Sequence, residues 1–164
     1  MEMMTTLATL PEDLKLLFDR LDVTANTPAL RDALEHWREA RGQNVFPAAG
    51  DLDLPHARGA YDRLFVLFLS EGGQGEWELV SGGAEARALL MPSGSWPRLD
   101  KFRNEGLALR LRRLLELVRE KGEPVVASFS LDDAVEHQSY ELLVAPLSTT
   151  GEMVDGALCG IGTG

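Results

Sequence analysis

The longest helical stripe in this chain ends at Gly122 and is followed at once by three strand-like runs, and that succession narrows the folds open to it. Upstream of Gly122, Leu107, Leu111, Leu114, Leu115 and Val118 recur at three- and four-residue intervals, which places them on one face of a helix. The spacing predicts a helix from near Leu99 to Gly122, the longest regular element of the chain. Gly106, early in it, weakens that helix by about 1 kcal/mol relative to Ala. Downstream come PVVASFSL, QSYELLVAPL and MVDGALCGI, each read as a strand. In the first, Val125, Ala127, Phe129 and Leu131 face one way, and Val126, Ser128 and Ser130 the other. Turns at Asp132–His137 and Ser148–Glu152 separate the three, so they form a meander.

Two amphipathic helices precede all of this. In LPEDLKLLFDRLDV, the residues Leu10, Leu14, Leu17, Phe18 and Leu21 make one apolar stripe, and Pro11 and the acidic residues suit a first helical turn. A second helix, capped by Asn26 or Thr27 with Pro28 early in it, runs to about Arg41 and stops at Gly42; its stripe is Leu30, Ala33, Leu34, Trp37 and Ala40. NVFPAAGDLDLPHARG reads as an ordered loop. RLFVLFLS is almost wholly apolar, the pattern of a strand buried on both faces, and EGGQG turns it into the strand EWELVSGG. AEARALL is a short helix ended by the Pro92–Pro97 loop. The expected plan is α+β: a five-stranded antiparallel sheet, helices on one face, and an N-terminal helical extension. Residues 1–28 are read as that extension and 29–164 as the domain. The apolar stripe of the extension needs a cover. Either it lies on the outer sheet face, or Leu14, Leu17, Phe18 and Leu21 meet a second copy and make a homodimer.

Composition limits the function classes. Acidic residues outnumber basic ones 26 to 16 in 164 residues, a formal charge of −10, and a field of that sign repels phosphate backbones and anionic lipid. Nucleic acid and membrane surfaces are therefore not expected partners. Cys159 is the one cysteine, which removes intrachain disulfides and Cys-rich metal sites and suits a reducing cytoplasm. MEMMTTLATLPEDL lacks the basic start and apolar run of a secretion signal, and no run approaches the roughly 20 apolar residues that span a bilayer.

Residues able to carry chemistry are scattered. His36, His56 and His137 stand in no zinc-binding spacing, there is no G-x-S-x-G elbow, and Cys159 falls inside an apolar strand. Neither catalytic nor metal-binding residues are expected; Asp51 and Asp53 read as turn residues that accept backbone N–H bonds. Gly72, Gly73 and Gly75 precede a strand rather than a helix, so they make a hairpin turn and not a phosphate loop. Ser81-Gly82-Gly83 leads into the short helix and is a weak anion cradle. On the long helix, Arg103, Arg110, Arg112, Arg113, Arg119 and Lys121 read either as an anion site or as a solvated face offset by Glu105, Glu116 and Glu120.

One family brings these elements together. In ALEHWREARGQNVFPAAGDLDLP, a helix carrying Trp37 and ending in Arg41-Gly42 leads to Pro47, Asp51, Asp53 and Pro55 before the first central strand; APLSTTGEMVDGALCGI closes the chain as a hairpin. Over roughly Ala29 to Ile161 the chain resembles the PAS domains, in particular the stand-alone, MopJ-like PAS family of alphaproteobacteria. The resemblance implies a sensory or regulatory domain that signals by binding a protein partner, gated by a small ligand between the long helix and the sheet. Trp77, Phe102, Phe129 and Tyr140 fall where such a ligand would lie, as does Trp96. Haem-binding members present a His from the long helix and flavin-binding members an Asn-Cys-Arg-Phe run; this chain has neither, so neither cofactor is expected. Two other readings stand beside this one: an isomerase- or dehydratase-like enzyme on a curved sheet, which needs an acid–base pair in an apolar cavity, and a ligand-free interaction adaptor.

Overall fold

Ten regular elements follow one another in the computed structural model, which describes residues 12–42, 46–47, 61–70, 75–90, 98–132 and 137–163. They are α1 (Glu12–Leu17), β1 (Arg20–Asp22), α2 (Pro28–Arg41), β2 (Leu64–Leu69), β3 (Trp77–Gly82), α3 (Ala84–Leu90), α4 (Glu105–Lys121), β4 (Val125–Asp132), β5 (His137–Leu147) and β6 (Gly156–Thr163). Short 3-10 turns at Tyr61–Arg63 and Leu99–Lys101 precede β2 and α4.

The six strands form one sheet in the order β1-β4-β5-β6-β2-β3, every neighbouring pair antiparallel. The meander β4-β5-β6 is thus continuous with the β2-β3 hairpin, because β6 pairs with β2. The expected count was five. The sixth strand comes from a residue run read as helix: α1 ends at Leu17, and the Asp19 N–H donates to the Ser128 carbonyl at 2.8 Å. From there Arg20, Leu21 and Asp22 lie along β4, where they satisfy an edge that would otherwise expose its backbone groups. The new edge is only three residues long and carries a charged pair, Arg20 with Asp22, two features that discourage further strand addition.

The long helix is also shorter than its leucine spacing predicts. Asn104 begins it: its side-chain oxygen accepts from the Leu107 N–H and its Nδ2 donates to the Leu89 carbonyl at 3.0 Å, so one residue caps α4 and ties it to α3. At the far end Gly122 takes a left-handed conformation (φ 72°), and its N–H returns to the Val118 carbonyl. Gly106 has a packing reason, since a Cβ there would lie 3.1 Å from Leu131 Cδ1.

Both faces of the sheet are covered, which corrects the expectation of helices on one face. On one side α1, α3 and α4 pack over Phe65, Leu67, Ala127, Phe129, Leu142, Val144, Cys159 and Ile161. On the other, Leu30, Ala33, Leu34 and Trp37 of α2 pack on Leu64, Val66, Val126, Leu143, Ala145, Leu147 and Leu158. The central strands are apolar on alternate residues of both faces, so each face must lose its water, and α2 is the element with a free apolar stripe. The final strand shows how close that helix comes. A Cβ on Gly160 would lie 2.5 Å from Leu30 Cδ2, and one on Gly162 would lie 3.0 Å from Thr27 Oγ1. Glycines on alternate positions of β6 therefore let α2 sit down on the strand.

The dimer residues expected from the sequence are spent inside the chain. Leu14, Phe18 and Leu21 are buried among the residues of α4 and β4, and Leu17 is half-buried against the same cluster. Phe18 meets Phe129 edge-on, with ring centres 5.8 Å apart. The stripe found its cover in its own domain, so residues 12–28 share the domain's core. No helix among the described residues is long and apolar enough to cross a membrane.

Candidate functional site

Three of the four side chains expected to line a ligand pocket, Trp77, Phe102 and Phe129, are core residues, each no more than 4% exposed. Phe129 stacks on Tyr140 with ring centres 5.5 Å apart and meets the Arg110 guanidinium at 5.2 Å. Leu107, Leu111, Leu114, Leu115 and Val118 of α4 belong to the same buried cluster as Phe129, Leu142, Val144 and Ile161. The layer between α4 and the sheet is thus occupied by the protein's own side chains. Tyr140 is half-buried and lines a surface hollow instead, while Trp77 reaches a different one. Phe129 and Tyr140 come together at the first of these hollows, but Trp77 and Phe102 do not join them. Trp96, Asp51, Asp53, His56, Gly72 and Gly73 lie outside the described residues. Cys159 is fully buried, and burial pushes its thiol far above the ordinary range, so it stays protonated and unreactive. The Gly83 N–H of the Ser81-Gly82-Gly83 run donates to the Leu64 carbonyl, so that amide serves the fold.

The arginines of α4 prove to be ties between elements. Arg110 Nε donates to the Leu17 carbonyl at 2.9 Å, and Arg113 pairs with Asp13, so two arginines fix α1 on α4. Arg119 Nε donates to the Val154 carbonyl at 3.1 Å, holding the segment between β5 and β6. Arg112 makes the strongest contact: its two terminal nitrogens donate to the two carboxylate oxygens of Glu76 at 2.7 and 2.6 Å. Sequence shows the charges but not their partners, which sit 35 to 100 positions away.

The Glu76–Arg112 pair stands where two surface hollows meet. The larger, about 700 Å³, runs along the C-terminal half of α4 between the start of β3 and the segment before β6. Its exposed apolar surface comes from Phe46, Leu69 and Met153, beside the buried Trp77 and Val154, and its acidic rim from Glu116, Glu120 and Glu152. The smaller, about 490 Å³, shares Gly75, Glu76 and Arg112 and extends toward Glu78 and Arg98. Together they make an elongated groove with the ion pair at its waist.

Burial opposes ionisation of Glu76, but the bonds from Arg112 and from the Trp77 N–H outweigh it and hold the carboxyl below its ordinary value. A carboxyl with a lowered folded-state pKa stabilises the fold above the unfolded value of about 4.3 and loses that contribution as pH falls through the folded value. The pair is partly open to water, so the effect is about 1 kcal/mol. Urea unfolding at pH 7 and pH 3 is expected to show Glu76→Gln destabilised at pH 7 and converging on the parent at pH 3. An equal deficit at both pH values would contradict this.

A third hollow, about 220 Å³, is lined by the edge of Phe129 and by hydroxyl-bearing residues including Ser128, Ser139, Tyr140 and Thr163. Glu141 borders it, 6% exposed, and its two oxygens accept from the Asn26 and Thr27 N–H groups, both at 2.8 Å. Thr27, at the N-cap, makes no side-chain cap bond, so Glu141 supplies from a distant strand an acceptor for the backbone entering α2. It alternates with Leu143, Ala145 and Leu147 on the α2 face, and a carboxylate at such a position requires partners. That alternation was the available signal. Among the described residues no group of three or more His, Cys, Asp or Glu side chains is placed to hold a metal ion.

No family model, curated protein or solved structure matches this chain.

Proposed function

We propose that this chain is a regulatory domain of PAS type that acts by binding a protein partner at its surface, as a homodimer. The observation that carries the reading is the packed layer between α4 and the sheet, where Phe129 is enclosed by Phe18, Tyr140 and Arg110. A domain filled in this way changes state through surface contacts, not through a ligand between its layers. An antiparallel sheet that joins a hairpin to a meander is compatible with the PAS resemblance, which implies five strands where this sheet has six and helices on one face where this sheet has them on both. An enzyme would need polar groups aimed into an apolar cavity. The two buried polar side chains among the described residues, Glu141 and Ser148, instead accept backbone N–H bonds, Ser148 Oγ from Gly151 at 2.8 Å.

With Leu14, Phe18 and Leu21 buried, the surface left for a second copy is the α1–α4 ridge, where Leu16 is 78% and Leu109 is 55% exposed. Asp13 and Glu116 flank them along with Arg112 and Arg113, so the patch is locally neutral in a chain of charge −10. A locally neutral patch lets two such chains approach without the repulsion that their net charge otherwise imposes.

Native mass spectrometry of freshly purified protein tests both parts. The expected species is twice the chain mass, releasing no small molecule on denaturation. A stoichiometric metabolite would overturn the packed-interior reading, and a concentration-independent monomer would overturn the dimer. Leu16→Glu with Leu109→Glu is expected to give monomer with little change in thermal midpoint, since both side chains are exposed.

A further inference from the structure

The groove about the Glu76–Arg112 pair has a charge that selects its occupant. Its larger half carries Glu76, Glu116, Glu120 and Glu152 against Arg112 and Arg119, four acids to two bases, a net −2. The cations are engaged within the fold. Arg112 is held bidentate by Glu76, and Arg119 donates to the Val154 carbonyl. The acids are less committed. Glu116 lies 3.4 Å from Arg113 at an exposed contact, Glu120 acts on Arg113 only through space, and Glu120 and Glu152 make no ion pair within 4 Å among the described residues. Beneath this rim lies apolar surface, with Met153 49% exposed and Leu69 half-buried. A groove with an apolar patch in its larger half and an acidic rim complements a segment bearing Lys or Arg beside a bulky apolar side chain. Its two connected hollows suit an elongated occupant better than a single small cation.

We infer that this groove docks a short basic, amphipathic segment of a partner protein. Apolar side chains of the segment settle over Leu69 and Met153 while its cations meet Glu116, Glu120 and Glu152. The inference rests on the reading of the chain as a partner-binding domain, and it names where the partner sits and what its chemistry is.

The probe is a fluorescein-labelled Lys/Leu amphipathic peptide, with its Glu/Leu counterpart as control, titrated against the full chain by fluorescence anisotropy and mapped by amide chemical shifts. The Lys/Leu peptide is expected to bind and to shift the amides of α4's C-terminal half and of Glu152–Val154, and the Glu/Leu peptide not to bind. The triple variant Glu116→Gln, Glu120→Gln, Glu152→Gln, all at exposed positions, is expected to weaken binding roughly tenfold or more. Removing three other acids, Asp32→Asn with Glu35→Gln and Glu39→Gln on α2, changes net charge equally and is expected to leave binding within about twofold. Equal loss in both variants, shifts confined to the Leu16–Leu109 ridge, equal binding of both peptides, or no binding would each overturn the inference. None of these bears on whether the interior holds a metabolite, so this failure and that of the packed-interior reading remain distinguishable.

Discussion

Replacing Trp37 with alanine is expected to destabilise the fold by about 4 kcal/mol, a large part of the 5–15 kcal/mol by which a domain of this kind is stable. The indole is fully buried at the centre of the α2 stripe, packed with Leu143, Ala145 and Leu147 of β5 in one cluster. Its Nε1–H donates to the Pro146 carbonyl at 2.9 Å, and Arg41 covers the ring at 4.7 Å. Alanine opens a cavity and also leaves that carbonyl without its donor. Trp37→Phe separates the two effects. It keeps most of the apolar volume and loses the bond, so a cost of about 1–2 kcal/mol is expected. Urea midpoints at constant m-value measure both. A loss below 1 kcal/mol for Trp37→Ala would mean that α2 does not seal the second face.

Glu141→Ala is expected to cost about 3 kcal/mol. The carboxylate accepts two charge-assisted bonds from the Asn26 and Thr27 N–H groups, and no side chain at Thr27 substitutes for it. Because the neighbouring hollow admits water, part of the loss is recovered and the cost stays below that of a sealed orphan pair. Glu141→Gln keeps the shape but turns an amide donor toward an N–H donor, so about half the loss is expected. If Gln were as stable as Glu, shape rather than acceptor capacity would be what matters at this position. Trp37 and Glu141 fasten different parts of α2, and their combined cost of about 7 kcal/mol falls within the range of whole-domain stability. The double variant is expected to release α2 or to unfold.

Much of the architecture was legible because it depends on local pattern. Thr27-Pro28 and Gly42 bound α2 as the cap residues indicate, and the alternation of Val125 to Leu131 assigns the two faces of β4 as the core clusters do. RLFVLFLS signals burial on both faces; a strand covered twice requires cover on both sides, and α2 supplies it on the second. The misreadings share a cause. Periodicity continues through Phe18 and Leu21, yet hydrogen bonding to β4 turns Arg20–Asp22 into a strand, a long-range gain that local spacing does not report. The candidate pocket was misplaced for a related reason. Aromatic composition selects large side chains, but whether Phe129 lines a space or fills it depends on Phe18, more than a hundred positions away. Ion-pair partners were the least legible feature. Arg112 lies on α4 and Glu76 just before β3, and only the fold brings them together.

The central claim is that the layer between α4 and the sheet is closed by the protein's own side chains. A methyl and aromatic NOE spectrum of the purified protein tests it most directly. Direct NOEs are expected from the methyls of Leu111, Leu114, Leu115 and Val118 to those of Leu142, Val144 and Ile161 and to the Phe129 ring, in protein that has met no added ligand. Cross-peaks from these groups to water or to a co-purified small molecule, in place of one another, would contradict it.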